Sequence, residues 1–240
     1  MCNNHVHSAS ESASSRRRFL GGAAALAALA SSAPALAADD ALPTNRIGGD
    51  AALQRLTQGN ARYVAGKPTQ RDYSVGRVAR TSGQKPFAAI LGCADSRVAP
   101  ELAFDQGPGD LFVVRLAGNF VNDDALASLE FATKVLEVPL IMVLGHTSCG
   151  AVAATIQVVQ DNASLPGHLP SLTTAIRPAV EAAARHKPAD LLAAATAENV
   201  RQNVARLMSA APILADLTKS GAVKVVGGVY DLATGKVGMV

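Results

Sequence analysis

The sequence predicts an α/β domain with a mainly parallel central sheet flanked by helices, a helical arm in front and a strand hairpin behind. Three observations carry this. Short unbroken apolar runs at residues 87–91, 111–114 and 140–144 have the composition of strands covered on both faces. Longer segments with helical spacing of apolar residues lie among them, and strands alternating with helices favour parallel pairing. Residues 223–230 read as a further strand, followed by a polar turn at 231–235 and a return strand over 236–240.

The helices follow from their apolar spacing. Over residues 50–65, Leu53, Leu56, Tyr63 and Val64 share one side, and Gly66 and Pro68 end the run. Residues 124–137 offer Leu126, Leu129, Val135 and Leu136 to a core. A third helix, over 149–160, starts directly behind the third apolar run. Residues 172–185 and 190–208 are Ala-rich helices divided by Lys187-Pro188, and 161–170 reads as a surface loop. There is no internal repeat and no second domain after residue 37.

Residues 1–37 read as an address. Ser15-Arg16-Arg17-Arg18-Phe19-Leu20 fits the twin-arginine export pattern, an Ala/Gly-rich apolar stretch follows, and Ala35-Leu36-Ala37 is a small-x-small cleavage signal. A membrane anchor is the competing reading, but Ser31-Ser32 and Pro34 interrupt the stretch. The expected mature protein, residues 38–240, is therefore a single periplasmic domain. The whole chain has 240 residues, is 49% apolar and carries a formal charge of +3. Cleavage removes three of its 22 basic and one of its 19 acidic side chains, leaving 19 against 18. No Lys/Arg cluster follows Arg18, so nucleic acid is excluded as a partner.

Two short segments collect the residues capable of chemistry. Gly92-Cys93-Ala94-Asp95-Ser96-Arg97 follows the first strand, and Gly145-His146-Thr147-Ser148-Cys149-Gly150 follows the third. In an open parallel sheet, ligands gather beyond the carboxyl ends of the strands. Cys93, His146 and Cys149 offer three protein ligands with a fourth place free, the pattern of a catalytic rather than a structural zinc site. Asp95 can bind the metal or accept a proton from its water, and Arg97 can grip that carboxylate bidentately. The alternatives are ordinary: a Cys93–Cys149 disulfide, a core histidine at 146, a surface Asp-x-Arg pair. His168 and His186 read as surface residues.

These paired segments closely resemble the β-class carbonic anhydrases, in which Cys-x-Asp-x-Arg precedes His-x-x-Cys by about fifty residues. Here Cys93 to His146 spans 53 positions. The likeness extends to Gln84-Lys85-Pro86-Phe87, to Val113-Val114-Arg115 with Ala117-Gly118-Asn119, to Val225–Asp231, and to the first helix with Gly59-Asn60. The resemblance implies carbon dioxide hydration on zinc held by Cys93, His146 and Cys149, with water in the fourth place and Asp95 and Arg97 as catalytic dyad. It places Gln84, Phe112, Ala117 and Gly150 at the carbon dioxide/bicarbonate pocket. It also implies a homodimer or homotetramer, with the N-terminal helix packed across a partner and the crevice partly built from two chains.

Departures sharpen the expectation. Leu116 stands where many members have Asn, and Phe131 where plant-like members have Tyr. One branch carries a Trp three residues before the first ligand, part of a bicarbonate pocket that lets Asp swing onto zinc. Ile90 stands there, and the chain has no Trp. The plant-like open-site branch is therefore expected, with Asp95 joining the metal only if the site closes. Carbon disulfide or carbonyl sulfide hydrolysis on the same ligands, and a non-catalytic zinc or bicarbonate-binding protein, are the competing functions.

Overall fold

The computed structural model describes residues 47–240; the export signal and cleavage site expected over 1–37 lie outside the described residues. A five-stranded sheet organises them. Strands β1 (Ala88–Gly92), β2 (Leu111–Arg115), β3 (Leu140–His146) and β4 (Lys224–Tyr230) run parallel, and β5 (Val237–Met239) closes one edge antiparallel. The order is β2-β1-β3-β4-β5. Around the sheet lie α1 (Gly49–Val64), α2 (Pro100–Ala103), α3 (Asp123–Lys134), α4 (Gly150–Asp161), α5 (Leu169–Arg185), α6 (Leu191–Met208) and α7 (Ile213–Lys219). No helix among the described residues is long and apolar enough to cross a membrane.

The unbroken apolar runs are explained by cover on both faces. Side chains alternate along a strand, so Leu140, Met142 and Leu144 of β3 join Ala88 and Ile90 of β1 under α1 and α2. Ile141 and Val143 join Ala89 and Leu91 under α3, α6 and α7. A third core, from Phe120, Val152, Ile176, Val180 and Ala195, lies beneath α4, α5 and α6 and includes both cysteines.

The expected fold is observed, and the structure corrects some of its details. The helix expected over 124–137 starts one residue earlier, because the Asn122 side chain caps it by accepting from the Ala125 N–H. It ends at Lys134, and Glu137 adopts a left-handed φ of 58°. Helix α5 takes the end of the expected surface loop, with Pro170 in its first turn, where a missing N–H is harmless. Helices α2 and α7 were not expected; four and seven residues are too few to show a period.

Helix α1 docks on its own chain through part of its apolar face. Ala52 and Leu56 are fully buried against this chain's own sheet, and Leu53 and Tyr63 pack on the same core. Burying one leucine contributes about 2 kcal/mol, so Ala52 and Leu56 already hold the helix on its own chain. Arg55 lies over the Phe87 ring, 4.0 Å from its centroid. Asn60 ties the helix to the C-terminal hairpin by donating to Gly235 O and accepting from Val237 N.

Candidate metal centre

The parallel register puts the two motif segments side by side. Gly92 of β1 pairs with Leu144 of β3, so Cys93 and His146 emerge from the carboxyl ends of adjacent strands. Cys149 follows three residues later as the N-cap of α4. The turn between them needs a left-handed Ser148, at φ 55°. The ligand atoms of Cys93, His146 and Cys149 lie within 4.8 Å of one another, and all three residues are buried. Both cysteines are free, which removes the disulfide alternative.

The donor set fits a metal on its own chemistry. His146 Nδ1 faces the Thr147 carbonyl oxygen at 2.9 Å, so that nitrogen carries the proton and Nε2 keeps its lone pair. Nε2 is buried and has no hydrogen-bond partner. A buried polar atom without a partner is costly, and here it faces two sulfurs. Three soft and borderline donors suit zinc, whose bonds of about 2.0–2.3 Å would draw them together.

One of the two sulfurs, that of Cys93, is prepared for the thiolate state. The hydrogen bond with Cys149 draws the Cys93 thiol down to about 4 against the opposing effect of burial, assisted by His146 and by the Gly118 and Asp95 amides. The same bond, with burial, pushes the Cys149 thiol up, so one proton is shared between the two sulfurs. The Val152 and Ala151 amides at the start of α4 favour the Cys149 thiolate. His146 is pulled both ways: burial lowers its pKa, and the nearby Cys93 sulfur and the Thr147 carbonyl raise it by more.

Asp95 and Arg97 stand at the mouth. Arg97 Nε and Nη2 donate to the two carboxylate oxygens at 2.9 and 2.7 Å, and the Arg97 backbone N–H donates to Oδ1 at 2.9 Å. These bonds, the Arg97 side chain first, hold the carboxyl well below its usual range. Asp95 Oδ2 lies 3.8 Å from His146 Nε2. Arg97 also reaches the Ser148 carbonyl at 3.3 Å, linking the two segments.

Other expected site residues divide into two groups. Ala117 precedes Gly118, whose N–H donates to Cys93 Sγ at 3.3 Å, and Gly150 is exposed beside Cys149 with open space around it. Phe112 pairs with Ala89, four residues before Cys93, and at about 3.3 Å per residue that is roughly 13 Å along the sheet. Gln84 is exposed and precedes the amino end of β1, so it too stands away from the sulfurs of its own chain. His168 caps the start of α5 and His186 its end, away from the cluster.

Two contributors had no role in the sequence reading. Arg115, at the end of β2, donates to the carbonyls of Cys93, Asp95 and Val98 at 2.7–2.9 Å and so fixes the turn that carries the first ligand and the dyad. An arginine closing an apolar strand was the available signal. Thr147 is held by its N–H to Tyr230 O and by its hydroxyl, which accepts from Leu232 N. Nothing local to its sequence marks it.

A five-stranded, mainly parallel sheet with a Cys-His-Cys cluster at its carboxyl edge and an Arg-clamped carboxylate beside it defines a class: α/β proteins whose strand ends carry a donor set suited to a metal. The carbonic anhydrase family profile matches residues 88–237. Carbonic anhydrase 2 of Mycobacterium tuberculosis is 41% identical over 187 residues, 78% of this chain and 90% of that protein. Among solved structures, the Coccomyxa β-carbonic anhydrase in complex with acetazolamide is 28% identical, with a TM-score of 0.62, covering 78% of this chain and 84% of that one. The tetrameric β-carbonic anhydrases of Sordaria macrospora share the fold at 23% identity and a TM-score of 0.63, covering 80% and 97%. This chain belongs to the β-class carbonic anhydrase family.

Proposed function

We propose that the chain is a carbonic anhydrase, hydrating carbon dioxide reversibly to bicarbonate and a proton on zinc held by Cys93, His146 and Cys149. The observation that carries this is the buried His146 Nε2, free of any partner and facing two free cysteines. Zinc held there would lower the pKa of a bound water to about 7 and so supply the nucleophile the reaction needs. The residues do the rest. The Thr147 carbonyl holds the imidazole in the ligating tautomer, and the α4 amides and Gly118 N–H steady the two sulfurs. Asp95, kept ionised by Arg97, presents a carboxylate oxygen that would accept a hydrogen bond from such a water and orient it. Buried Phe120, Val152 and Ile176 exclude bulk water from behind the cluster.

Zinc content and carbon dioxide hydration measured on one sample test the proposal. One zinc per chain with activity is expected, and Cys149→Ser should lose both together. A Cys149→Ser protein that keeps full zinc would overturn the ligand set. Carbon disulfide and carbonyl sulfide hydrolysis use the same ligands, and no observation favours them.

Three finer readings belong with this one. The site is of the open branch: Arg97 holds both oxygens of Asp95, and Ile90 stands where a bicarbonate pocket would need Trp. A crystal grown near pH 7 with Asp95 on the metal would overturn it. The enzyme is a homodimer or homotetramer in which a second copy brings Gln84 and Phe112 to the crevice. In support, β2 is an edge strand whose four apolar residues are only half covered, and Phe112 on it meets the exposed Phe131 ring. Sedimentation as a monomer would refute this. Finally, the protein is periplasmic, exported with the twin-arginine signal of residues 1–37. Changing Arg16 and Arg17 together to Lys should trap the precursor in the cytoplasm.

A further inference from the structure

Helix α6 carries a polar stripe where a core helix would be apolar. Thr196, Asn199 and Asn203 follow at helical spacing on one side, and all are buried. The two asparagines form a ladder. Asn203 Nδ2 donates to the Asn199 carbonyl at 2.8 Å and to Asn199 Oδ1 at 3.1 Å. The far ends of the ladder leave α6 altogether. Asn199 Nδ2 donates to Gly118 O at 2.9 Å, and Asn203 Oδ1 accepts from Val121 N at 2.7 Å. An acceptor at one end and a donor at the other fix which way each amide points.

The segment so pinned cannot hold its own shape. Gly118 and Asn119 are consecutive left-handed residues, at φ 88° and 41°, a conformation that costs an asparagine energy and persists only when surroundings impose it. Contact fixes it too: a Cβ at Gly118 would lie 2.4 Å from Ile176 Cδ1. This segment delivers the Gly118 N–H to Cys93 Sγ at 3.3 Å. On the same stripe, the Thr196 methyl approaches Gly145, the residue before His146: a Cβ there would lie 3.3 Å from Thr196 Cγ2 and 2.8 Å from Val200 Cγ2.

We propose that Asn199 and Asn203 are positioning residues for the metal centre, acting through the Gly118–Val121 segment to hold the Gly118 N–H on the Cys93 sulfur. An N–H donor on a thiolate ligand withdraws charge from the sulfur, so the metal bound to it is more electron-poor and a better acid. Partners of this kind orient a ligand and tune the metal it holds. The inference rests on reading Cys93, His146 and Cys149 as metal ligands.

The test uses the cadmium-loaded full chain labelled with nitrogen-15 on glycine. The Gly118 amide proton should show scalar coupling to cadmium through the Cys93 sulfur. In Asn199→Ala and Asn203→Ala the coupling should weaken or vanish, and zinc affinity should fall roughly ten- to a hundred-fold by chelator competition. In the cobalt-loaded variants the sulfur-to-metal charge-transfer band should move to lower energy. Thr133→Ala, which deletes a buried hydroxyl bonded within α3, should lower stability and leave coupling, band and affinity unchanged. Cadmium that fails to bind Cys93 and Cys149 would overturn the metal reading together with this inference. Cadmium bound at both sulfurs with no coupling to Gly118 in the unaltered chain overturns this inference alone, whether or not the variants fold. A folded Asn199→Ala with unaltered band and affinity does the same.

Discussion

Asp95 and Asp105 invite comparison. Arginine hydrogen bonds hold both carboxyls well below the usual range, Asp105 against a large opposing effect of burial. Asp95 sits at the carboxyl ends of the strands, its side chain 17% exposed and gripped by an arginine that is 55% exposed. Asp105 precedes the start of β2, at the opposite end of the parallel strands. Its side chain is 1% exposed, and Arg62, Arg71 and Thr69 converge on it. At φ 48°, it ties the end of α1 and the segment after it to the turn before β2. A depressed carboxyl with an arginine partner is therefore not by itself a functional mark. What separates the two is company: Asp95 faces an unpartnered imidazole nitrogen and two thiols, and Asp105 faces only groups that satisfy it.

Substitutions can pull these roles apart. The largest effect is expected from Asp95→Asn, which removes the anionic acceptor at the mouth. Carbon dioxide hydration should fall on the order of 100-fold or more, with zinc content unchanged by elemental analysis and the urea midpoint little moved. An Asp95→Asn enzyme with normal turnover would dissolve the comparison. Next, Asp105→Asn should cost about 3 kcal/mol by urea unfolding, because it breaks a buried charge cluster whose arginines still reach water. Its activity per folded, zinc-loaded molecule should stay near that of the unaltered chain.

The pH dependence of that stability has a defined sign. The Asp105 carboxyl is depressed in the folded state, so its contribution is complete above the unfolded value of about 4. It is lost progressively as pH falls below that toward the folded value. The difference in unfolding free energy between the unaltered chain and Asp105→Asn should thus be constant from pH 6 to 8 and shrink below about pH 4. A difference that grew on acidification would contradict the cluster's assignment. The smallest effect is expected from Arg177→Ala. Its pairing with Glu181 at 3.5 Å is exposed on both sides, and the change should stay within about 0.5 kcal/mol in unfolding experiments.

Much of this molecule was legible without coordinates. The apolar runs at 87–91 and 140–144 became β1 and β3, which are covered on both faces and so need apolar residues at every position, and the run at 111–114 became β2, an edge strand only half covered. Cys93, His146 and Cys149 could be named together because residues just past parallel strands share one edge. Elements too short for periodicity, α2 and α7, were not legible, nor was the start of α5 within a Pro-containing loop, since local composition does not separate a proline in a first helical turn from one in a turn.

The sequence by itself determined the sheet, the donor set and the identity of the Asp-Arg pair, because these follow from period, residue chemistry and position relative to strand ends. Only the tertiary structure decided what depends on long-range approach. It docked Leu56 on its own sheet rather than leaving it for a partner. It separated Phe112 and Gln84 from the sulfurs of the same chain. It also brought Arg115 onto the Cys93 turn and Asn199, 81 positions away, onto Gly118. None of these pairings has a local signal: a side chain's partner across the fold is set by packing and register, which no single stretch of sequence encodes.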